Sequence, residues 1–504
     1  MTRPIQSALL SVYSKEGLES LAKALHQRGV ALYSTGGTQA FLEGLGLPCN
    51  AVENVTGYPS ILGGRVKTLH PRVFGGILAR RSEEKHQSDV AEHELPLFDL
   101  VVVDLYPFEE TVRTTTDEQA IIEKIDIGGV SLLRAAAKNF EDVSVLSSPA
   151  DYRAFVQMLE ASGGTTTMED RKRLAAKAFA ACAHYDVSIA EYFNKDSGDA
   201  FQLSVGGKRS LRYGENPHQS AAFYGDMDSL FEQLHGKELS YNNLVDIDAA
   251  CQLVAEFEQP CFAVVKHTNP CGIAERENIE EAWAAAHAGD PESAFGGVLV
   301  ANRPITRKVA EEINAIFFEV LVAPDFEPDA LEVLQSKKNR ILLRQKAELS
   351  SDRTVTKTLL NGVLVQSPDN TLAGKWEEAG GRNCTDGEKA DLEFANAVCK
   401  HLKSNAIALV KHRQLIGKGC GQTSRIDSLR HALAKAGQIG FDTKGAVMAS
   451  DAFFPFDDCA RIADEAGITA VIQPGGSIRD ADTVNYCKER GLALVLTGTR
   501  HFKH

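Results

Sequence analysis

The chain has 504 residues, 43% hydrophobic and 24% charged, which is a globular composition too long for one core and sets an expectation of two to four domains. A formal net charge of −14 disfavours unspecific binding to nucleic acid or to a membrane surface, but leaves room for small anions met by local positive charge. None of the ten cysteines lies closer than ten residues to another, so no C-x-x-C motif exists; such thiols fit a reducing cytoplasm. The N-terminal segment lacks the apolar core of a signal peptide, and no apolar run approaches the roughly 20 residues of a membrane span.

In chain order, Ala8–Val12 reads as a buried strand. Leu18, Leu21, Ala22 and Leu25 recur on one helical face, and Val30–Tyr33 is the next strand. This β-α-β rhythm predicts a doubly wound parallel sheet. Leu100–Val103, apolar on both faces, is a central parallel strand, Val143–Leu146 another, and an Ala-rich helix spans about 171–192. The polar stretch 194–199 is the candidate linker, giving domains 1–195 and 200–504. Beyond it, Ala249, Ala250, Leu253, Val254 and Phe257 form a helical stripe. Phe262–Val265, Val298–Val300, Val320–Val322 and Val363–Val365 read as strands, and Asn405–Val410 with Leu415–Gly417 as a hairpin. Two β-α units close the chain. Val265-Lys266-His267 is echoed by Val410-Lys411-His412, the only trace of a repeat.

Several segments carry chemistry. Thr35-Gly36-Gly37-Thr38 lies between a strand and a helix, where open N–H groups and the helix dipole suit phosphate; a plain capped turn is the alternative. Arg65-Val66-Lys67-Thr68 adds cations beside two glycines, as an anion clamp or a solvated loop. Asp126-Ile127-Gly128-Gly129 opens a second helix, which Lys138 ends, ordinarily as a surface cap. Lys266 and His267 follow an apolar strand and precede Asn269-Pro270, which is expected to turn the chain away. The ammonium is expected to keep the imidazole neutral as a base and to stabilise developing negative charge. Cys271 reads as a buried thiol. Arg212–Gln219 is rich in hydrogen-bond donors, Ser293–Gly297 offers glycine approach, and Asp451–Phe456 an aromatic platform.

Taken together, R-V-K-T-L-H-P, D-L-Y-P-F, I-D-I-G-G, R-A-A-A-K-N, R-Y-G-E-N-P-H-Q, V-K-H-T-N-P-C-G, S-A-F-G-G, S-D-A-F-F-P-F, Q-P-G-G-S-I-R-D and R-H-F-K-H run in order and closely resemble the bifunctional AICAR formyltransferase/IMP cyclohydrolase family. The resemblance implies a methylglyoxal-synthase-like N-terminal domain and two cytidine-deaminase-like α/β/α subdomains lacking the deaminase zinc motif. It implies formyl transfer from the co-substrate 10-formyltetrahydrofolate to AICAR, then closure of formyl-AICAR to IMP. No catalytic metal is implied, and the transferase site is expected across a homodimer contact. By position, His267 is the expected base and Lys266 its electrostatic partner. Arg212, Tyr213, Asn243, Gly296, Glu319, Asn405, Phe454 and Arg500 are expected to hold AICAR, and Arg425 and Ile426 folate. Ser14, Lys15, Thr35, Gly36, Gly37, Thr38, Arg65, Val66, Thr68, Val103, Asp104 and Ile127 are expected to hold IMP, with Lys138, Lys67, Tyr106 and Asp126 catalysing closure. The pattern departs from its relatives at Tyr13-Ser14, where S-D is usual, at Asp104 for asparagine, and at Phe74 and Phe140 for histidine. A transferase whose cyclohydrolase half is impaired by these departures, a nucleotide-binding protein without activity and a metal-dependent deaminase are the alternatives, the last disfavoured by missing zinc ligands.

Overall fold

The structure, a computed structural model, describes residues 2–194, 198–350 and 354–504; residues 195–197 of the expected linker lie outside them. The chain divides into two compact units, the first ending at Val205 and the second running Gly206–His504.

In the first unit, strands β1 (Ser7–Ser11), β2 (Ala31–Ser34), β3 (Asn50–Ala51), β4 (Leu100–Val103) and β5 (Ser144–Leu146) form one parallel sheet in the order β3-β2-β1-β4-β5. β4 is buried along its whole length, as a strand covered on both faces must be. The expected helix stripe, Leu18, Leu21, Ala22 and Leu25, packs into this core from helix Leu18–Gln27. Chain order reverses between β1 and β4, so the carboxyl ends of those strands border a crevice, the usual ligand position in open α/β sheets.

The second unit holds two six-stranded sheets. The first contains β6 (Phe231–His235), β7 (Cys261–Lys266), β8 (Asn269–Glu275), β9 (Val298–Ala301), β10 (Val320–Ala323) and β11 (Ile341–Gln345), ordered β6-β11-β10-β9-β7-β8. The second contains β12 (Glu377–Glu378), β13 (Ile407–Val410), β14 (Leu415–Gly419), β15 (Val447–Ser450), β16 (Ala470–Gln473) and β17 (Ala493–Leu496), ordered β12-β17-β16-β15-β13-β14. Strand order and strand directions are the same in both: this is a duplicated fold.

Alternation along the strands explains how the two copies meet. Ala263, Val265, Val298 and Val300 of one sheet and Ala408, Val410, Val447 and Ala449 of the other share one core with helices Tyr241–Val254 and Asp386–Lys400. Phe262, Val264 and Leu299 point into a separate outer core, as do Ile407, Leu409 and Met448 on their side. The two middle helices start alike, with capping boxes Ser240–Asn243 and Thr385–Glu388.

One expectation changes. The turn falls at His267–Thr268 and not at Asn269-Pro270: β7 runs antiparallel to both neighbours and turns back there into β8, so Asn269 and Pro270 sit in an edge strand, where a missing N–H is tolerated. The expected strand at Val363–Val365 forms, within an exposed hairpin (Val355–Leu359 with Gly362–Gln366) outside both sheets.

Close approach fixes Gly272: a Cβ there would stand 1.9 Å from the Ala286 carbonyl oxygen, whereas Gly387 meets nothing within 4 Å. Gly272→Ala is expected to lower stability by about 1–3 kcal/mol, and Gly387→Ala to change it by less than about 1 kcal/mol in the stabilising direction. Denaturant titration of the two variants checks this.

Candidate functional site

The first unit gathers its cluster at the crevice. Thr35 follows β2 at the N-cap position of helix Gly36–Gly44, with no side-chain cap hydrogen bond, so the helix's first N–H groups are left open. Lys67 crosses to it: its Nζ lies 2.9 Å from where a Cβ on Gly36 would be and 3.4 Å from one on Gly64. Both glycines have positive φ, and the room they leave is what admits the ammonium. Thr68 is buried with its hydroxyl against Gly128, at the start of helix Gly128–Lys138. Lys15 Nζ donates to the Val12 carbonyl at 2.5 Å and lies 3.2 Å from Thr38 Oγ1; burial lowers its pKa. Arg65 is exposed and pairs with Glu123. Two helix N-termini and two lysines thus face one space, a combination suited to a phosphorylated ligand.

At the other end of the crevice the carboxyl of Asp126 accepts the Gly129 N–H at 2.7 Å. Burial raises its pKa, against the pull of that hydrogen bond. Burial, then the nearby Asp126 carboxylate, also raises the Tyr106 phenol. The carboxyl, holding its proton more tightly than usual, can exchange it with a ligand nearer neutral pH, while the phenol stays protonated and is a hydrogen-bond donor.

Asp104 and Tyr13, both departures from the resembled pattern, touch each other. The Asp104 carboxylate accepts N–H groups from Tyr13 and from Ser14, the latter at 2.8 Å. The aspartate missing from the loop at 13–14 is thus met by one arriving from the end of β4. Tyr13, marked in the sequence as a departure but given no site role, packs edge-on against Tyr106 at 5.5 Å, and Lys124 Nζ lies 5.1 Å from its ring centre.

Lys138 is not brought to this cluster. Asp126 precedes helix Gly128–Lys138 and Lys138 ends it, so about 15 Å of helix separates them at 1.5 Å per residue. Its side chain is exposed.

In the second unit His267 and Thr268 are the two central residues of the β7–β8 hairpin, with φ of 51° and 62°. Two positive φ values are the pattern of a type I′ turn, normally made by Asn-Gly. Side chains with a Cβ cost about 1–2 kcal/mol each there. Asp246, on helix Tyr241–Val254, offsets this by accepting both N–H groups, from Thr268 at 2.7 Å and His267 at 3.3 Å. Burial raises the Asp246 carboxyl while these hydrogen bonds pull it back. His267 is exposed, and Lys266 Nζ donates to the Phe295 carbonyl at 2.9 Å, beside Gly296. The Gly296 N–H in turn donates to Phe317, and Glu319 pairs with Lys237 at 2.7 Å. Arg212 stacks on Tyr213 at 4.9 Å; their loop is tied to the helix start by Asn242 Nδ2 donating to the Glu215 carbonyl.

A second group forms in the other subdomain. Arg425 donates to Asn405 Oδ1 at 2.9 Å and to Asp451 at 2.8 Å, with Asp451 wholly buried. Ser404 donates to Asp451 Oδ2, and the Ser404 N–H reaches the Lys503 carbonyl, so the chain terminus is docked here. Arg500 is exposed over Phe502, and Ile426 is half-buried. The two groups meet where the Lys403 N–H approaches Asn269 Oδ1 at 3.4 Å. Two expected contacts change character. The Phe454 ring is wholly buried in the outer core, so it offers backbone rather than a stacking face. The Asn243 amide oxygen is occupied by the Ser240 cap.

A two-unit α/β enzyme, its first unit gathering lysines and helix N-termini at the strand ends and its second a duplicated fold, is the class these features define. Known proteins place it further. The family described as AICARFT/IMPCHase bienzyme matches residues 136–435, and the MGS-like domain matches 17–131. "Bifunctional purine biosynthesis protein PurH" of Bacteroides thetaiotaomicron is 54% identical over 100% of this chain and 99% of that protein. Its namesakes in Chloroflexus aurantiacus (99% and 98% covered) and Rhodospirillum rubrum (99% and 99%) are 49% and 46% identical. The chain belongs to the AICARFT/IMPCHase bienzyme family. Among the described residues no group of three or more His, Cys, Asp or Glu side chains is placed to hold a metal ion, and no helix is long and apolar enough to cross a membrane.

Two outcomes test this geometry. Arg425→Ala leaves the Asp451 carboxylate buried without its partner and is expected to cost about 3–5 kcal/mol in chemical denaturation. Near the terminus, Lys400 and His401 hydrogen-bond Glu256 at 2.8 and 3.0 Å. Burial would raise that carboxyl, but these bonds outweigh it and hold it at about 2 against an ordinary 4.5. Its stabilisation is therefore complete above about pH 4.5 and is lost as pH falls toward 2. Acid titration of Glu256→Gln is expected to lack that part of the transition.

Proposed function

We propose that the second unit transfers a formyl group from 10-formyltetrahydrofolate to AICAR, and that the first unit closes formyl-AICAR to IMP with loss of water. The enzyme acts in purine biosynthesis with both activities, as the family names. The observation that supports the transferase assignment most directly is the exposed His267 following Lys266, whose ammonium is anchored on the Phe295 carbonyl. In the transfer, the AICAR amine forms a bond to the formyl carbon and His267 accepts the amine proton. Lys266 stabilises the transient oxyanion, and the bond to the folate nitrogen breaks as that nitrogen regains a proton. Arg212, Tyr213, Gly296, Glu319, Asn405 and Arg500 hold the nucleotide, Asn243 and Phe454 border it, and Arg425 and Ile426 meet folate.

In ring closure the carboxamide nitrogen attacks the formyl carbon of the same molecule, so orientation supplies much of the rate. Thr35–Thr38, Arg65–Thr68, Ser14 and Lys15 hold the phosphorylated ribose. Val103, Asp104 and Ile127 border the base, and Lys67, Tyr106 and Asp126 handle charge and protons. Lys138 takes part in closure from the far end of its helix, a helix length from Asp126. The protein acts as a homodimer whose transferase site is completed across the subunit contact. A cytoplasmic location agrees with ten free thiols.

The coupled assay decides. Purified protein is expected to consume 10-formyltetrahydrofolate only with AICAR and then to yield IMP. His267→Ala is expected to lower transferase turnover by about 10²–10⁴ while leaving closure of supplied formyl-AICAR intact. Unchanged turnover in that variant would remove the base assignment, and closure no faster than in buffer would remove the cyclohydrolase.

A further inference from the structure

The Lys-His echo of the sequence is the visible end of a longer structural copy. Asp391 lies 145 residues after Asp246, and His412 lies 145 after His267. Like its counterpart, the second hairpin turns on two residues with positive φ, His412 at 54° and Arg413 at 50°. Asp391 accepts the His412 N–H at 2.8 Å and the Arg413 N–H at 2.6 Å. Even the register shift recurs, between Val264 and Val265 in one copy and Leu409 and Val410 in the other. Both lysines before the turn place Nζ on main-chain carbonyls: Lys266 on Phe295, Lys411 on Lys444 at 2.7 Å. One chain therefore contains the same carboxylate-held turn twice, once at the proposed formyl-transfer site and once away from it.

The His267 ring is exposed, and the hydrogen bonds described for this residue all run through its main chain. Its N–H goes to Asp246, and its carbonyl oxygen accepts from Thr268 Oγ1 at 2.7 Å and Asn269 Nδ2 at 2.8 Å. No ladder partner exists for the N–H groups at the centre of a two-residue hairpin, so without the carboxylate they are left to water and the turn can relax to other forms. Because the ring has no anchor of its own, its direction is set by the backbone, and the backbone by Asp246.

We propose that Asp246 is a positioning residue for formyl transfer: by holding the His267 and Thr268 N–H groups it aims the imidazole at the attacking amine, while its twin Asp391 does the same mechanical work with no part in the reaction. This rests on His267 being the base. Asp246 itself touches no reacting atom.

The twin supplies the control. Asp246→Ala and Asp246→Asn, the latter turning one acceptor oxygen into a donor, are compared with Asp391→Ala and Asp391→Asn in the full-length protein. All four are expected to lower the thermal midpoint. Only the Asp246 pair is expected to lower transferase kcat, by about 10- to 100-fold, with the KM for AICAR and ring closure of supplied formyl-AICAR unchanged. Should an alanine variant fail to fold, its asparagine counterpart carries the comparison. A wild-type kcat in the Asp246 variants overturns the proposal, as does an equal loss in the Asp391 variants. His267→Ala run alongside separates the two ideas. If it is inactive beside fully active Asp246 variants, only the positioning role falls; if it is fully active, the base assignment falls and the positioning role with it.

Discussion

The helical layer shared by the two sheets is the constraint on which the second unit depends. Each sheet has one face of small and β-branched residues that must be covered, and helices Tyr241–Val254 and Asp386–Lys400 cover both at once. Phe257 and Phe394, one from each copy, meet in that layer with ring centres 4.8 Å apart and planes tilted by 38°. Neither half can bury its inner face alone, so the copies are locked together. This brings the β7–β8 hairpin of one beside the Ser404–Asn405 segment of the other. Packing, not any local preference of the loops, assembles the residues proposed for formyl transfer.

The same layer explains how an unfavourable turn persists. His267 and Thr268 are poor residues for positive φ, and a free hairpin of this sequence would choose another shape. Asp246 is available only because its helix is pinned between the sheets with the carboxyl facing the hairpin. The first unit uses a cheaper device: glycines at 36, 63 and 64 adopt positive φ without strain, and the space beside Gly36 and Gly64 receives Lys67. One site is thus shaped by backbone freedom and the other by a tertiary hydrogen-bond clamp.

Charge at the crevice of the first unit shows compensation of a different kind. Tyr13-Ser14 and Asp104 depart from the resembled pattern separately in sequence, yet the Asp104 carboxylate caps the very N–H groups of residues 13 and 14. The local count of acidic groups is kept while the loop gains an aromatic ring against Tyr106. Two substitutions that each look disruptive alone form one contact.

Patterning alone established the first sheet, the helix stripes, most strands of the second unit and the turns that carry Lys67, Asp126 and His267. Periodicity and Gly-Pro punctuation are local properties, and burial along a strand or helix face is written residue by residue. Tertiary structure alone decided that β7 pairs antiparallel with both β8 and β9, that Asp246 and Asp391 are twins, and that the Phe454 ring is core. Each of these depends on residues far apart in the chain. A side chain's orientation and its distant hydrogen-bond partners follow from how elements pack, and that information is not carried by any short stretch of sequence.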